Sequence, residues 1–144
     1  KSARLSAEPE RLPPGVGCLC WRDKAVGEFR CEKVDGVPAL TVTNLNDQKS
    51  GQFYFDLEKS LGVALKPGAA YRVKVDYTTK NEAAGVVNVQ VTPGFKGIAS
   101  ARLPNTGGKW KTAAATFTRP PAADNVQIRM VIDNEAVGEG NTLC

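Results

Sequence analysis

Apolar and polar residues alternate with a period of two in two stretches of this chain. Tyr71, Val73, Val75 and Tyr77 interleave with Arg72, Lys74 and Asp76, and Val87, Val89 and Val91 interleave with Asn88, Gln90 and Thr92. A period of two puts successive side chains on opposite faces of a strand, so each stretch predicts a strand with one buried and one solvated face. Pro67 and Gly68 stop any helix ahead of the first stretch and set up a turn. The same reading predicts further strands over Gly27 to Lys33, Ala39 to Asn44, Gln52 to Leu57, Trp110 to Thr118 and Val126 to Asp133. Turn signals separate them: Asp35-Gly36, Asn44 to Gly51, Glu82 to Gly85, Pro93-Gly94, Asn105 to Gly108, Pro120-Pro121 and Glu135 to Gly140. The helical tendency around Asp56 to Leu61 is too short to stand alone and predicts a turn. About eight short strands so punctuated, with almost no helix, predict an all-β chain folded as a two-sheet antiparallel β-sandwich.

Length agrees with one domain, because 144 residues suffice to enclose a single core. Residues 1–17 carry Pro9, Pro13 and Pro14 and predict a linker or an arm laid over the domain, which occupies 18–144. The charge balance, 19 Lys and Arg against 15 Asp and Glu, is spread along the chain. Scattered positives make no nucleic-acid footprint, and no partner of that class is expected. No run of about 18 apolar residues exists, so no membrane insertion is expected, and no signal peptide is visible; the chain reads as a soluble piece of a larger protein.

Cys18, Cys20, Cys31 and Cys144 are disulfide candidates with three possible connectivities, among which the sequence does not choose. A thiolate zinc site would call for paired C-x2-C spacings, whereas here one C-x-C is joined by two remote cysteines, so no metal site is expected from them. Disulfides would place the domain outside the reducing cytosol, in the extracellular space or the cell envelope.

There is no histidine, which removes histidine-based triads and leaves a carboxylate or lysine as the only general base. Asp76 and Asp133 could form a glycosidase-like pair, but basic neighbours would lower their pKa values where such a pair needs one raised. The expectation is a domain without catalytic residues, although the parent protein could be an enzyme.

Four features together resemble one family. Leu65-Lys66-Pro67-Gly68 is followed by Tyr71-Arg72-Val73, and a glycine turn before Trp110 leads to a strand ending in Phe117. Val126-Gln127-Ile128-Arg129-Met130-Val131-Ile132-Asp133 then precedes Gly138-Glu139-Gly140-Asn141-Thr142-Leu143. Over about residues 25 to 144 this is similar to the carbohydrate-binding modules of the galactose-binding-like jelly-roll superfamily. The resemblance implies a jelly roll, with a last strand that here would be truncated at Cys144. It also implies a concave sheet shared by Ala39 to Asn44, Val126 to Asp133, Tyr71 to Thr78 and Val86 to Thr92.

On that sheet, alternation points Arg72, Lys74, Asp76, Asn88, Gln90, Gln127, Arg129 and Asp133 outward as ligand-binding candidates, with Thr41, Thr43 and Thr92 beside them. Planar amide, carboxylate and guanidinium groups match sugar hydroxyls, and clustering of Arg72, Lys74 and Arg129 would favour an anionic glycan. No outward position on these four strands is aromatic. Tyr71 and Tyr77 share parity with the valines and belong in the core, and Trp110 is expected to pack. Trp21, Tyr54 and Phe95 remain as aromatic candidates, Tyr54 being assigned to the opposite sheet and Phe95 to a loop. Related jelly rolls often hold a structural calcium, and Asp133, Asn134, Glu135, Glu139 and Asn141 offer oxygen ligands for one, but such a cluster is more often a polar turn, and no cofactor is expected. Two functions follow: a non-catalytic module binding polysaccharide or oligosaccharide and covalently linked to domains of a larger extracytoplasmic protein, or a structural or protein-interaction β-sandwich.

Overall fold

The computed structural model describes residues 2–5, 15–20, 26–45, 51–58, 62, 64–132, 140 and 142–144. Their strands in chain order are β1 Ser2–Leu5, β2 Val16–Cys20, β3 Val26–Val34, β4 Val37–Asn44, β5 Gly51–Asp56 and β6 Ala70–Tyr77. They continue with β7 Thr79–Lys80, β8 Gly85–Thr92, β9 Lys96–Leu103, β10 Lys111–Thr118, β11 Asn125–Ile132 and β12 Thr142–Leu143. Every strand read from the alternation is present. The turns between them follow from their residues: Asp35 and Gly36 both take positive φ, the geometry of a two-residue hairpin, and join β3 to β4. At Pro67-Gly68 the Ala69 N–H donates to the Lys66 carbonyl with Gly68 at positive φ, a type II turn.

Two layers result. One sheet has the order β1-β3-β4-β12-β7 and the other the order β2-β5-β11-β8-β9, while β6 pairs with β10. All pairings are antiparallel except β1 with β3, which run parallel. Thr78 links β6 to β7 and exchanges backbone hydrogen bonds with Cys144, so the β6–β10 pair continues the first layer. The arm is thus partly structured: Ser2–Leu5 is β1, in register with Val26 to Phe29. The closing segment is the two-residue β12, which bonds to both β4 and β7.

The inner faces enclose the core. Phe29, Val42, Tyr77 and Leu143 from the first layer meet Phe53, Val87, Leu103, Ile128 and Ile132 from the second. Phe29 and Phe53 meet edge to face with centroids 5.4 Å apart. A second cluster, Leu65, Val89, Val91, Ala115, Phe117 and Val126, fills one end, and Tyr71 stacks on Phe117 at 5.8 Å. Tyr77 lies in the core and the half-buried Tyr71 packs against it, both on the side their parity required. No helix among the described residues is long and apolar enough to cross a membrane.

Alternation missed β1, β2, β7 and β12, all of five residues or fewer, and one long strand, β9. Its sequence, Lys-Gly-Ile-Ala-Ser-Ala-Arg-Leu, is rich in small residues of poor strand propensity. The β8–β9 register also shifts between Val89 and Gln90, so the strand has no unbroken period of two.

No disulfide joins the described cysteines. Leu143 points into the core, so Cys144, the next residue, leaves on the reverse side of its sheet, whereas Cys31 shares the inward parity of Phe29. Cys18 packs against the core from the other sheet. Burial raises the Cys144 thiol above its ordinary value, so it remains a protonated thiol. The Cys20 side chain lies outside those described.

Candidate functional site

The outer face of the β2-β5-β11-β8-β9 sheet is built by strict parity. On β5 the core takes Phe53, so Gln52, Tyr54 and Asp56 face outward. On β11 the core takes Val126, Ile128 and Ile132, so Asn125, Gln127 and Arg129 face outward; on β8 Asn88, Gln90 and Thr92 do. Register then lines these residues up in rows. Gly17, Tyr54, Arg129, Asn88 and Ser100 form one row across all five strands, and Asp56, Gln127 and Gln90 form the next.

Arg129 is the centre of the face. Its Nη1 donates to Gln52 Oε1 at 3.2 Å and its Nη2 to Gln127 Oε1 at 3.5 Å. The Gln90 amide is oriented with its oxygen toward the guanidinium, since the opposite orientation would set donor against donor; that oxygen accepts from Nε at 2.6 Å and from Nη2 at 3.2 Å. Every guanidinium nitrogen is therefore directed at a glutamine oxygen. Gln127 Nε2 donates onward to Asp56 Oδ1 at 2.8 Å, and Asn125 Nδ2 donates to the same oxygen at 2.7 Å. Gln52, Gln90 and Gln127 are 4%, 8% and 8% exposed although they belong to an outer face, so they form a polar floor. Burial lowers the Arg129 pKa from its ordinary value, opposed by Tyr54, and the group stays charged.

Two aromatic rings flank this arginine. Its guanidinium carbon lies 6.0 Å from the Tyr54 ring centroid and 5.2 Å from that of Phe95, distances at which a cation is held by an aromatic ring. Phe95 belongs to the β8–β9 turn, has φ of 53° and is 57% exposed, so a non-glycine residue in left-handed backbone holds a large apolar ring in water. Tyr54 lies across Gly17: a Cβ there would collide with the ring carbon Cζ, and only glycine leaves room for the ring.

The predicted site residues divide accordingly. Asn88, Gln90, Gln127 and Arg129 are brought together. The placement of Arg72, Lys74 and Asp76 on the same sheet is corrected: β6 pairs with β10, and these residues sit opposite Thr116, Ala114 and Thr112 on the outside of the other layer. There Thr112 Oγ1 donates to Asp76 Oδ1 at 2.5 Å. The proposed cluster of Arg72 and Lys74 with Arg129 is consequently absent. β4 belongs to the other sheet as well, where Thr41 is buried and Thr43 shares a 2.7 Å hydrogen bond with Thr142. Tyr54 is corrected in the opposite sense, since it stands beside Arg129 and not on the far sheet. The Gln52, Tyr54, Asp56 parity was visible in the sequence; that β5 neighbours β11 was not. Asp133, Trp21 and the calcium candidates Asn134, Glu135, Glu139 and Asn141 lie outside the described residues. Among the described residues no group of three His, Cys, Asp or Glu side chains could hold a metal ion.

No family model and no curated protein sequence matches the chain. Solved structures do resemble it. A CBM4 structure superposes with a TM-score of 0.55 at 18% identity, covering 72% of this chain and 64% of that one. The two chains share a fold. The CBM22-1–GH10 modules of Clostridium thermocellum endo-1,4-β-D-xylanase 10B, complexed with xylohexaose, match with a TM-score of 0.58 at 16% identity over 90% of this chain. The enzymatically active domain of bacteriophage CBA120 tailspike protein 4 matches at 0.57 and 10% identity over 91% of it. This chain spans only 24% and 18% of those two longer proteins.

Proposed function

We propose that this chain is a non-catalytic carbohydrate-binding module that holds a polysaccharide or oligosaccharide on the outer face of the β2-β5-β11-β8-β9 sheet. The observation that carries the reading is the pair of rings, Tyr54 and exposed Phe95, set about Arg129 above a floor of glutamine amides. Sugar rings present an apolar C–H face that packs on aromatic side chains and a rim of hydroxyls that pair with amides. The fold shared with the CBM4 structure and with the xylanase module crystallised with xylohexaose supports the same reading. Such a module concentrates covalently linked domains of a larger extracellular or cell-envelope protein on polysaccharide, by raising their effective concentration.

The test is binding of the purified chain to a panel of polysaccharides, with Tyr54→Ala and Phe95→Ala alongside. Each substitution is expected to weaken binding by about 5- to 30-fold, the equivalent of roughly 1–2 kcal/mol for a lost ring contact. Unchanged affinity in both variants would remove this face from the function, and absence of binding to every glycan would leave the fold with a protein-interaction role.

A further inference from the structure

Resting on that reading, we infer that the face selects uncharged saccharide and that Arg129 is a positioning residue for Tyr54 and Phe95, not an anchor for an anion. A guanidinium that recruits carboxylate or sulfate must offer a pair of parallel N–H groups to the ligand. Here Nε, Nη1 and Nη2 are each directed at Gln90, Gln52 or Gln127, and the two rings lie against the same group. An anion would have to displace buried amides that no other donor would then satisfy.

One further group on the face disfavours negative charge. Asp56 sits one row from Arg129, joined to it through Gln127, and its carboxylate offsets the arginine charge. Beside it, Asn125 Nδ2 is committed to the same carboxylate. β9 carries two cations, Lys96 beside Phe95 and Arg102, and both are exposed; Arg102 stands two strands from Arg129, about 10 Å at ordinary strand spacing, and charges so solvated are screened by salt. Arg72 and Lys74 are on the other layer altogether.

The inference is tested by biolayer interferometry on immobilised arabinoxylan, galactomannan and hydroxyethylcellulose as neutral probes, and polygalacturonate and chondroitin sulfate as anionic ones, at 50 and 500 mM NaCl. The wild-type chain is expected to bind a neutral probe with a Kd that changes by less than about twofold with salt, and the anionic probes about tenfold or more weakly. Arg129→Lys keeps the charge but not the planar fork, and is expected to lose about tenfold on the neutral probe at both salt concentrations. Preferential binding of polygalacturonate or chondroitin sulfate, weakened by salt and retained in Arg129→Lys, would overturn the inference while leaving a carbohydrate-binding module standing. Binding to none of the probes would overturn the module reading and the inference together. The wild-type salt comparison decides between the ligand classes even if Arg129→Lys folds poorly.

Discussion

Removing the Arg119 side chain should destabilise the domain by about 3 kcal/mol, because it strands a buried carboxylate. Arg119 Nε and Nη2 both donate to Glu58, each at 3.3 Å, and the two side chains are only 9% and 14% exposed. Glu58 also accepts from the Leu65 N–H at 2.8 Å, which ties the pair to the Leu65, Val126 and Phe117 cluster at that end of the core. Burial pushes the Glu58 pKa up, but the Leu65 N–H, the hydrogen bonds and charge of Arg119 and the Val126 N–H outweigh it, and the carboxyl lies below its ordinary value. Breaking a buried pair from one side costs about 3–5 kcal/mol, and the 3.3 Å contacts, long for charge-assisted bonds, put this pair at the lower end. In a domain of this size about 3 kcal/mol corresponds to a fall in Tm of roughly 10 °C. Urea unfolding and differential scanning calorimetry of wild type and Arg119→Ala measure it directly. Replacing both partners together, Glu58→Gln with Arg119→Met, should cost less than Arg119→Ala alone, since no charge is left unpaired. A loss below about 0.5 kcal/mol in Arg119→Ala would refute the reasoning, because that is how a solvated surface pair behaves.

Gly17→Ala forces the Tyr54 ring off its seat, which the half-buried ring can leave without unfolding the sheet. It should weaken saccharide binding about as much as Tyr54→Ala while lowering stability by about 1–3 kcal/mol, and an unchanged affinity by titration calorimetry would show that Tyr54 keeps its position. Acid should remove the Glu58 contribution. The folded carboxyl has the lower pKa, so its stabilisation is complete above the unfolded value of about 4.3 and is lost as pH falls through the folded one. The stability gap between wild type and Glu58→Gln, followed by urea midpoints from pH 7 to pH 3, should therefore shrink on acidification; a widening gap would contradict the sign.

Alternation along the chain was enough to determine the all-β class, the strands β3 to β6, β8, β10 and β11, and the inward side of each. It worked because a buried face demands an apolar residue at every second position, as at Val87, Val89 and Val91. The turn chemistry at Asp35-Gly36 and Pro67-Gly68 was equally local, depending on φ values that those residues supply unaided. Which strands share a sheet was decided only by the tertiary structure. Alternation states which way a side chain leaves its strand but not which strand lies alongside, and that choice rests on contacts such as Arg129 with Gln52, 77 residues apart. For this reason Arg72, Lys74 and Asp76 were read onto the wrong layer, while Tyr54 was left off the face where it stands. Phe95 owes its place over Arg129 to a left-handed turn residue, and the room for Tyr54 to a glycine on a third strand. Neither relation has a signature in the order of residues, because each exists only where strands distant in sequence are set edge to edge.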